Sequence, residues 1–220
     1  MLRFTLFGFP VAIHWMFWVT IALVSGRLEA NTPEQMQRLV LWVAAAVASI
    51  LIHELGHTFM MRRYGARSSI MLYAFGGLAI PDRGFNRTQQ IIVSLAGPLV
   101  EIAFGLAAYA LLQAGDAPGS RLGAWLPYYL LRTFYFISIF WGLFNLVPIY
   151  PLDGGQVLFQ LLGPARAKTT YAVGILCAVA VAFWMFSLNS IFSAILFGML
   201  AFENLQRIRG ATPNSILRPF

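Results

Sequence analysis

The chain has 220 residues, 59% hydrophobic and only 10% charged, with a formal net charge of +7 and a mean hydropathy of +0.72. A soluble domain carries about 25% charged residues, so these values exclude a water-soluble globular protein and indicate an integral membrane protein whose surroundings are a lipid bilayer. The length allows one domain, residues 1–220, and the basic residues cluster at the ends of apolar segments, where they set membrane orientation rather than bind nucleic acid.

Residues 4–10 have strand character. The apolar run 11–24 follows, with no small-x-small cleavage site after it, so it reads as a first membrane helix over 10–26 and not as a cleaved leader. Further apolar segments of spanning length, roughly 20 residues, lie at 38–61, 88–113, 125–147, 169–187 and 190–206. The last two are joined by Ser187-Leu188-Asn189, which leaves room only for a tight hairpin. Residues 69–75 are rich in strand formers, and Gly76-Gly77 supply a bend or a close backbone approach. Non-helical backbone near a membrane must be covered by protein or line a wet cavity. The expected fold class is therefore an all-α polytopic membrane protein, with six transmembrane helices and a short membrane-associated β-sheet.

With a cytoplasmic N-terminus, the inner side holds Arg3, Arg62, Arg63, Arg67, Arg83, Arg87, Arg166, Lys168, Arg207, Arg209 and Arg218. The outer side keeps Arg27, Arg38, Arg121 and Arg132, offset by Glu29, Glu34 and Asp116. This asymmetry predicts that both termini are cytoplasmic. The lone Cys177 excludes an intramolecular disulfide and reads as a small packing residue.

Within the second apolar segment stands His53-Glu54-Leu55-Gly56-His57. Two histidines at i and i+4 share one helix face and can reach a single metal. Glu54 lies beside them, where it can take a proton from water. A catalytic zinc needs a third protein ligand and one open position. His14, Glu101 and Asp153 are the ionisable residues in or beside apolar segments that can turn inward. His53 lies eight residues, roughly 12 Å, from the inner end of its helix. The fourth segment runs the same way and ends before Pro148 and Pro151, which brings Asp153 to the same side; Gly154 and Gly155 then allow a close approach. Glu101, about thirteen residues or roughly 20 Å deep, is expected to overshoot the histidines by a turn. His14 reads as interfacial. The third ligand is therefore assigned to Asp153.

These residues resemble the site-2 protease family of intramembrane zinc metalloproteases. The resemblance rests on the His53–His57 motif and on Asn145-Leu146-Val147-Pro148-Ile149-Tyr150-Pro151-Leu152-Asp153-Gly154-Gly155. Weaker likenesses lie at Phe75-Gly76-Gly77 and Ala96-Gly97-Pro98, and in the order of the helices. The resemblance implies one Zn²⁺ per chain on His53, His57 and Asp153, with Glu54 as general base. Asn145 would hold the substrate or the developing oxyanion. A strand at 70–75, with Phe75, Gly76 and Gly77, would pair with an unwound substrate by strand addition. The implied substrate is a single-span membrane protein, cut within or near its transmembrane helix, in regulated intramembrane proteolysis or signal-peptide clearance. The implied location is the cell membrane of a prokaryote, with the active site nearer the cytoplasm and no obligatory protein partner. Two departures stand out: Glu101 occupies a position where several members carry asparagine, and no PDZ or CBS domain is seen.

Each assignment has a plainer counterpart. Asp153 also suits a helix cap, Asn145 a helix-to-helix hydrogen bond, and Glu101 either a functional or a structural carboxyl. Glu203 and Arg207 read as a helix-end ion pair. Two other function classes share the metal ligands. A zinc transporter needs more ligands along a path than three histidines offer, and a catalytically silent scaffold has no use for Glu54.

Overall fold

The computed structural model describes residues 1–26, 31–74, 76–115 and 125–210. Expectations resting on Arg27, Glu29, Phe75, Asp116, Arg121 and Arg218 lie outside the described residues. The chain divides into two compact units, Met1–Gly84 with Ala96–Leu143, and Phe85–Leu95 with Phe144–Phe220.

In the first unit, β1 (Leu2–Leu6) and β2 (Phe9–Ile13) form an antiparallel hairpin. Phe7 and Gly8 turn it with φ of 51° and 85°, the two positive values that a two-residue hairpin turn requires. β2 pairs in parallel with β3 (Ser68–Tyr73), which pairs antiparallel with β4 (Gly76–Pro81), giving the order β1-β2-β3-β4. Parallel strands need a long crossover. Here it consists of α1 (Trp15–Val24) and α2 (Pro33–Arg63). Phe9, Val11 and Ile13 alternate inward with Ile70 and Leu72, and this sheet face packs on Phe17 and Ile21 of α1 and on Ala46, Ile50 and Leu55 of α2. The 31 residues of α2 begin in a reciprocal cap: Thr32 accepts from the Gln35 backbone, and the Gln35 side chain accepts from the Thr32 backbone. This satisfies two amide donors that a helix start would otherwise leave open. The unit also takes most of α3 (Arg87–Gly115) and α4 (Trp125–Asn145).

The second unit holds a short helix α5 (Asp153–Leu162), a 3-10 turn (Pro164–Arg166), and the hairpin of α6 (Ala167–Ser187) and α7 (Ile191–Ile208). Asn189 turns the hairpin with φ of 58°, as the short connection requires. Ile149, Ala178, Met185, Phe197, Leu200 and Ala201 form its core. The connection between α4 and α5, with a cis Tyr150–Pro151 peptide, is gripped by α7. The buried Asn204 amide donates to the carbonyls of Tyr150 (2.5 Å) and Leu200 (2.8 Å). Arg207 stacks 4.6 Å over the Tyr150 ring while paired with Glu203 at 2.6 Å. Arg87 donates to the carbonyls of Gln160 and Leu161, closing the end of α5.

Two expectations need correction. Residues 10–26 do not form one helix. Their first part alternates as β2, which leaves α1 only 10 residues, about 15 Å, half of a bilayer core of about 30 Å. Among the described residues four helices are long and apolar enough to cross a membrane, namely α2, α3, α6 with its preceding turn, and α7. α4 has 21 residues, but its tyrosines, tryptophans and Arg132 lower its hydropathy. The second correction concerns strand addition. β3 is paired on both sides, by β2 and by β4, so its backbone groups are already committed. The edge strands of the sheet are β1 and β4.

Candidate metal centre

α2 carries Ser49, His53 and His57 at successive i, i+4 positions, one stripe of a single face. Both histidines are buried, at 4% and 7% exposure, and their Nε2 atoms lie 3.1 Å apart. A tetrahedral zinc with two nitrogens at about 2.0–2.1 Å holds them about 3.3 Å apart. The imidazole pair therefore fits one ion.

Gly56 lets α3 come close: a Cβ there would stand 2.6 Å from the Ala96 carbonyl oxygen. A Cβ on Gly97 would meet the His57 ring, and one on Gly77 would meet the Glu54 side chain. The weakly matching Gly76-Gly77 and Ala96-Gly97 pairs thus have a physical use. They give the Glu54 and His57 side chains room against β4 and α3. Glu54 itself is buried at 4% exposure.

Glu101 does not overshoot. Its Oε2 lies 2.8 Å from His53 Nδ1, and its Oε1 accepts from Ser49 Oγ at 2.6 Å. Gly97 of α3 abuts Gly56 of α2, so Glu101, one turn further along α3, starts deeper than His57. However, side chains lean toward the N-terminus of their own helix, and in α3, which runs antiparallel to α2, that lean carries the carboxylate back to His53. Ser49 Oγ in turn meets Ser138 Oγ at 2.8 Å.

Asp153 is the first residue of α5 and is buried at 7% exposure. The cap position is Leu152, so Asp153 is not the helix cap of the plainer reading. Asn145 ends α4, half-buried, and Gly76 and Gly77 open β4. Phe75 lies outside the described residues. His14 caps a helix, with its Nδ1 accepting from the Met16 amide at 3.3 Å at the start of α1. Sequence reasoning missed Ser49, Ser138 and Asn204. Only Ser49 carried a signal, its spacing of four residues from His53.

The sequence pattern of Peptidase family M50 matches residues 41–124 and 119–188. The chain belongs to Peptidase family M50. It is 28% identical over 163 residues to a zinc metalloprotease of Methanocaldococcus jannaschii, covering 72% of this chain and 44% of that one. It is 31% identical over 166 residues to Rip3 of Mycobacterium tuberculosis, also named a zinc metalloprotease, covering 69% and 40%. Stage IV sporulation protein FB of Bacillus subtilis is 30% identical over 156 residues, covering 69% and 47%. The M50 chain thus spans less than half the length of these relatives. Its fold is that of the solved site-2 protease from Methanocaldococcus jannaschii, with a TM-score of 0.64, 24% identity and 99% of both chains covered. M50 is a family of proteases, and the first two of these relatives are named for zinc. That agrees with a buried imidazole pair beside a buried glutamate. Together with its apolar helices, the family makes this an integral membrane protein.

Proposed function

We propose that this M50 chain is a zinc-dependent endopeptidase that cuts a single-span membrane protein within or near its transmembrane helix. The observation that carries the reading is the pair of buried Nε2 atoms 3.1 Å apart, with Glu54 between them in sequence. His53, His57 and Asp153 would hold one zinc ion. Asp153 is supported by its burial at the first position of α5 and by its place in the Asn145–Gly155 motif.

Bound zinc supplies a Lewis acid that brings water ionisation near pH 7 and polarises a carbonyl. Glu54 takes the proton from the attacking water and returns it to the departing nitrogen. Gly77 holds β4 against the Glu54 side chain, which limits where that carboxylate can go. The substrate helix unwinds locally, because a hydrogen-bonded helix hides its carbonyls. Its extended backbone pairs with the outer edge of β4, beginning at Gly76 and Gly77 with Phe75 just before them. Asn145 contacts the substrate or the developing oxyanion. α1 and α4 also run in the bilayer, which restores six membrane segments within one protease domain. The membrane is the cell membrane of a prokaryote, with both termini cytoplasmic and the site nearer that side.

The test uses purified protein in detergent, a panel of single-span substrates, and the Glu54→Gln variant. Cleavage by the wild type should stop with a zinc chelator and fall about 10²- to 10⁴-fold in Glu54→Gln, while zinc content stays unchanged. Undiminished turnover by Glu54→Gln would remove Glu54 from the mechanism. Zinc on both proteins with cleavage by neither would favour a zinc-binding scaffold or transporter.

A further inference from the structure

We propose that Glu101 is a positioning residue of the metal centre: it takes the Nδ1–H of His53 and fixes the imidazole with its Nε2 lone pair toward the metal. The inference rests on the zinc reading of His53 and His57 and adds a group outside the ligand set.

Glu101 is fully buried. Its two oxygens face two different groups, His53 Nδ1 at 2.8 Å and the donating Ser49 Oγ at 2.6 Å. Ser138 lies 2.8 Å beyond Ser49. With the Ser49 proton directed at Glu101, Ser138 donates to Ser49. The chain of hydrogen bonds then runs from α4 through α2 to α3 and ends on the Glu101 carboxyl as acceptor. A ring nitrogen bonded to such an acceptor carries the hydrogen, so the other nitrogen carries the lone pair. For His53 that other nitrogen is Nε2, the atom facing His57 Nε2 at 3.1 Å. Nδ1 and Nε2 lie on different edges of the ring, so Glu101 approaches His53 from the side away from the metal. Its action on the ion passes through the imidazole. Carboxylate–histidine–zinc arrangements of this kind orient the ligand and raise its basicity. They also give an intramembrane carboxylate, costly to place in a bilayer, a reason to be there.

The experiment measures zinc affinity by chelator competition for the full chain in detergent, comparing wild type with Glu101→Gln, Glu101→Ala, Ser49→Ala and His53→Ala. The absorption spectrum of the cobalt-loaded protein reports the ligand set, and thermal unfolding of metal-free protein reports folding. Glu101→Gln should bind zinc about 10- to 100-fold more weakly, with an unchanged metal-free unfolding midpoint and a cobalt spectrum of unchanged coordination number. Glu101→Ala should lose at least as much affinity. Ser49→Ala should lose less, in the same direction, and its milder change keeps the test sound if a Glu101 variant folds poorly. Wild-type affinity in both Glu101→Gln and Ser49→Ala would overturn the proposal and leave a purely structural carboxyl. Loss equal to that of His53→Ala, with a cobalt spectrum of altered coordination, would overturn it by making Glu101 a ligand. Wild type that binds no more zinc than His53→Ala would overturn the zinc reading itself, and this inference with it.

Discussion

A Cβ at position 97 would overlap the His57 ring, and one at position 77 would overlap the Glu54 side chain, so on the proposed mechanism the two glycines act on different steps. Gly97→Ala should displace His57 and weaken zinc binding, read by chelator competition. Gly77→Ala should leave zinc in place yet cut turnover about 10²-fold, the loss expected for a misplacement of about 1 Å in a reacting group. Equal zinc loss in both variants would contradict this division. The motif His53-Glu54-Leu55-Gly56-His57 was legible because one helix turn suffices to bring its parts together. Glu101 was recognised as unusual but misplaced, because counting helical rise ignores the backward lean of the side chain. Ser138 comes from 89 residues away from Ser49, and no local pattern announces such a partner.

The connection from α4 to α5 depends on α7. Asn204 donates to both Tyr150 and Leu200 carbonyls, and Gly154 and Gly155 pack tightly on the backbone at Leu146 and Ile149. Asn204→Leu deletes both hydrogen bonds and leaves the Tyr150 carbonyl without that donor. Hydrogen bonds of this kind in membrane proteins average about 0.6 kcal/mol each, so the variant should be less stable by about 1–2 kcal/mol. Unfolding in detergent with an unchanged midpoint would remove Asn204 from this role. The prolines and glycines of the 145–155 motif made this turn readable. The contribution of α7 was not readable, because Asn204 looks like an isolated polar residue in an apolar helix. The first helix was misjudged for a related reason. A continuous apolar run serves equally for a strand with a buried face and for a helix, and the pairing of β2 with β3 decided between them.

For the whole chain, the inner excess of arginine and lysine predicts which loops face the cytoplasm. The lone Cys177 makes this testable in a Cys177→Ser background. Arg63→Cys, at the end of α2, should react with a membrane-impermeant thiol reagent only from the cytoplasmic side. Asn189→Cys, in the α6–α7 turn, should react only from the opposite side. Labelling of both from one face would refute the orientation. Membrane character was plain from composition alone, since a chain this short with 59% apolar residues has little other solvent for them. The count of spans was not plain. Hydropathy does not measure how much of an apolar run is helical, and within 10–26 only the 10 residues of α1 are.

The glycines around α2 also set how this sequence can drift. Phe183, Leu176 and Phe136 are 74%, 72% and 65% exposed, and lipid asks of such positions only that they be oily. Any of several side chains will serve there, and relatives that differ at roughly seven positions in ten have ample room to differ harmlessly. At Gly56 an added Cβ would meet the backbone of α3, and at Gly77 and Gly97 it would push on the Glu54 and His57 side chains, so these positions are specified by an atom that is missing. Mutational tolerance in this chain therefore falls from the lipid surface inward. It is least at glycines such as Gly56, where an added methyl group would meet the backbone of a neighbouring helix.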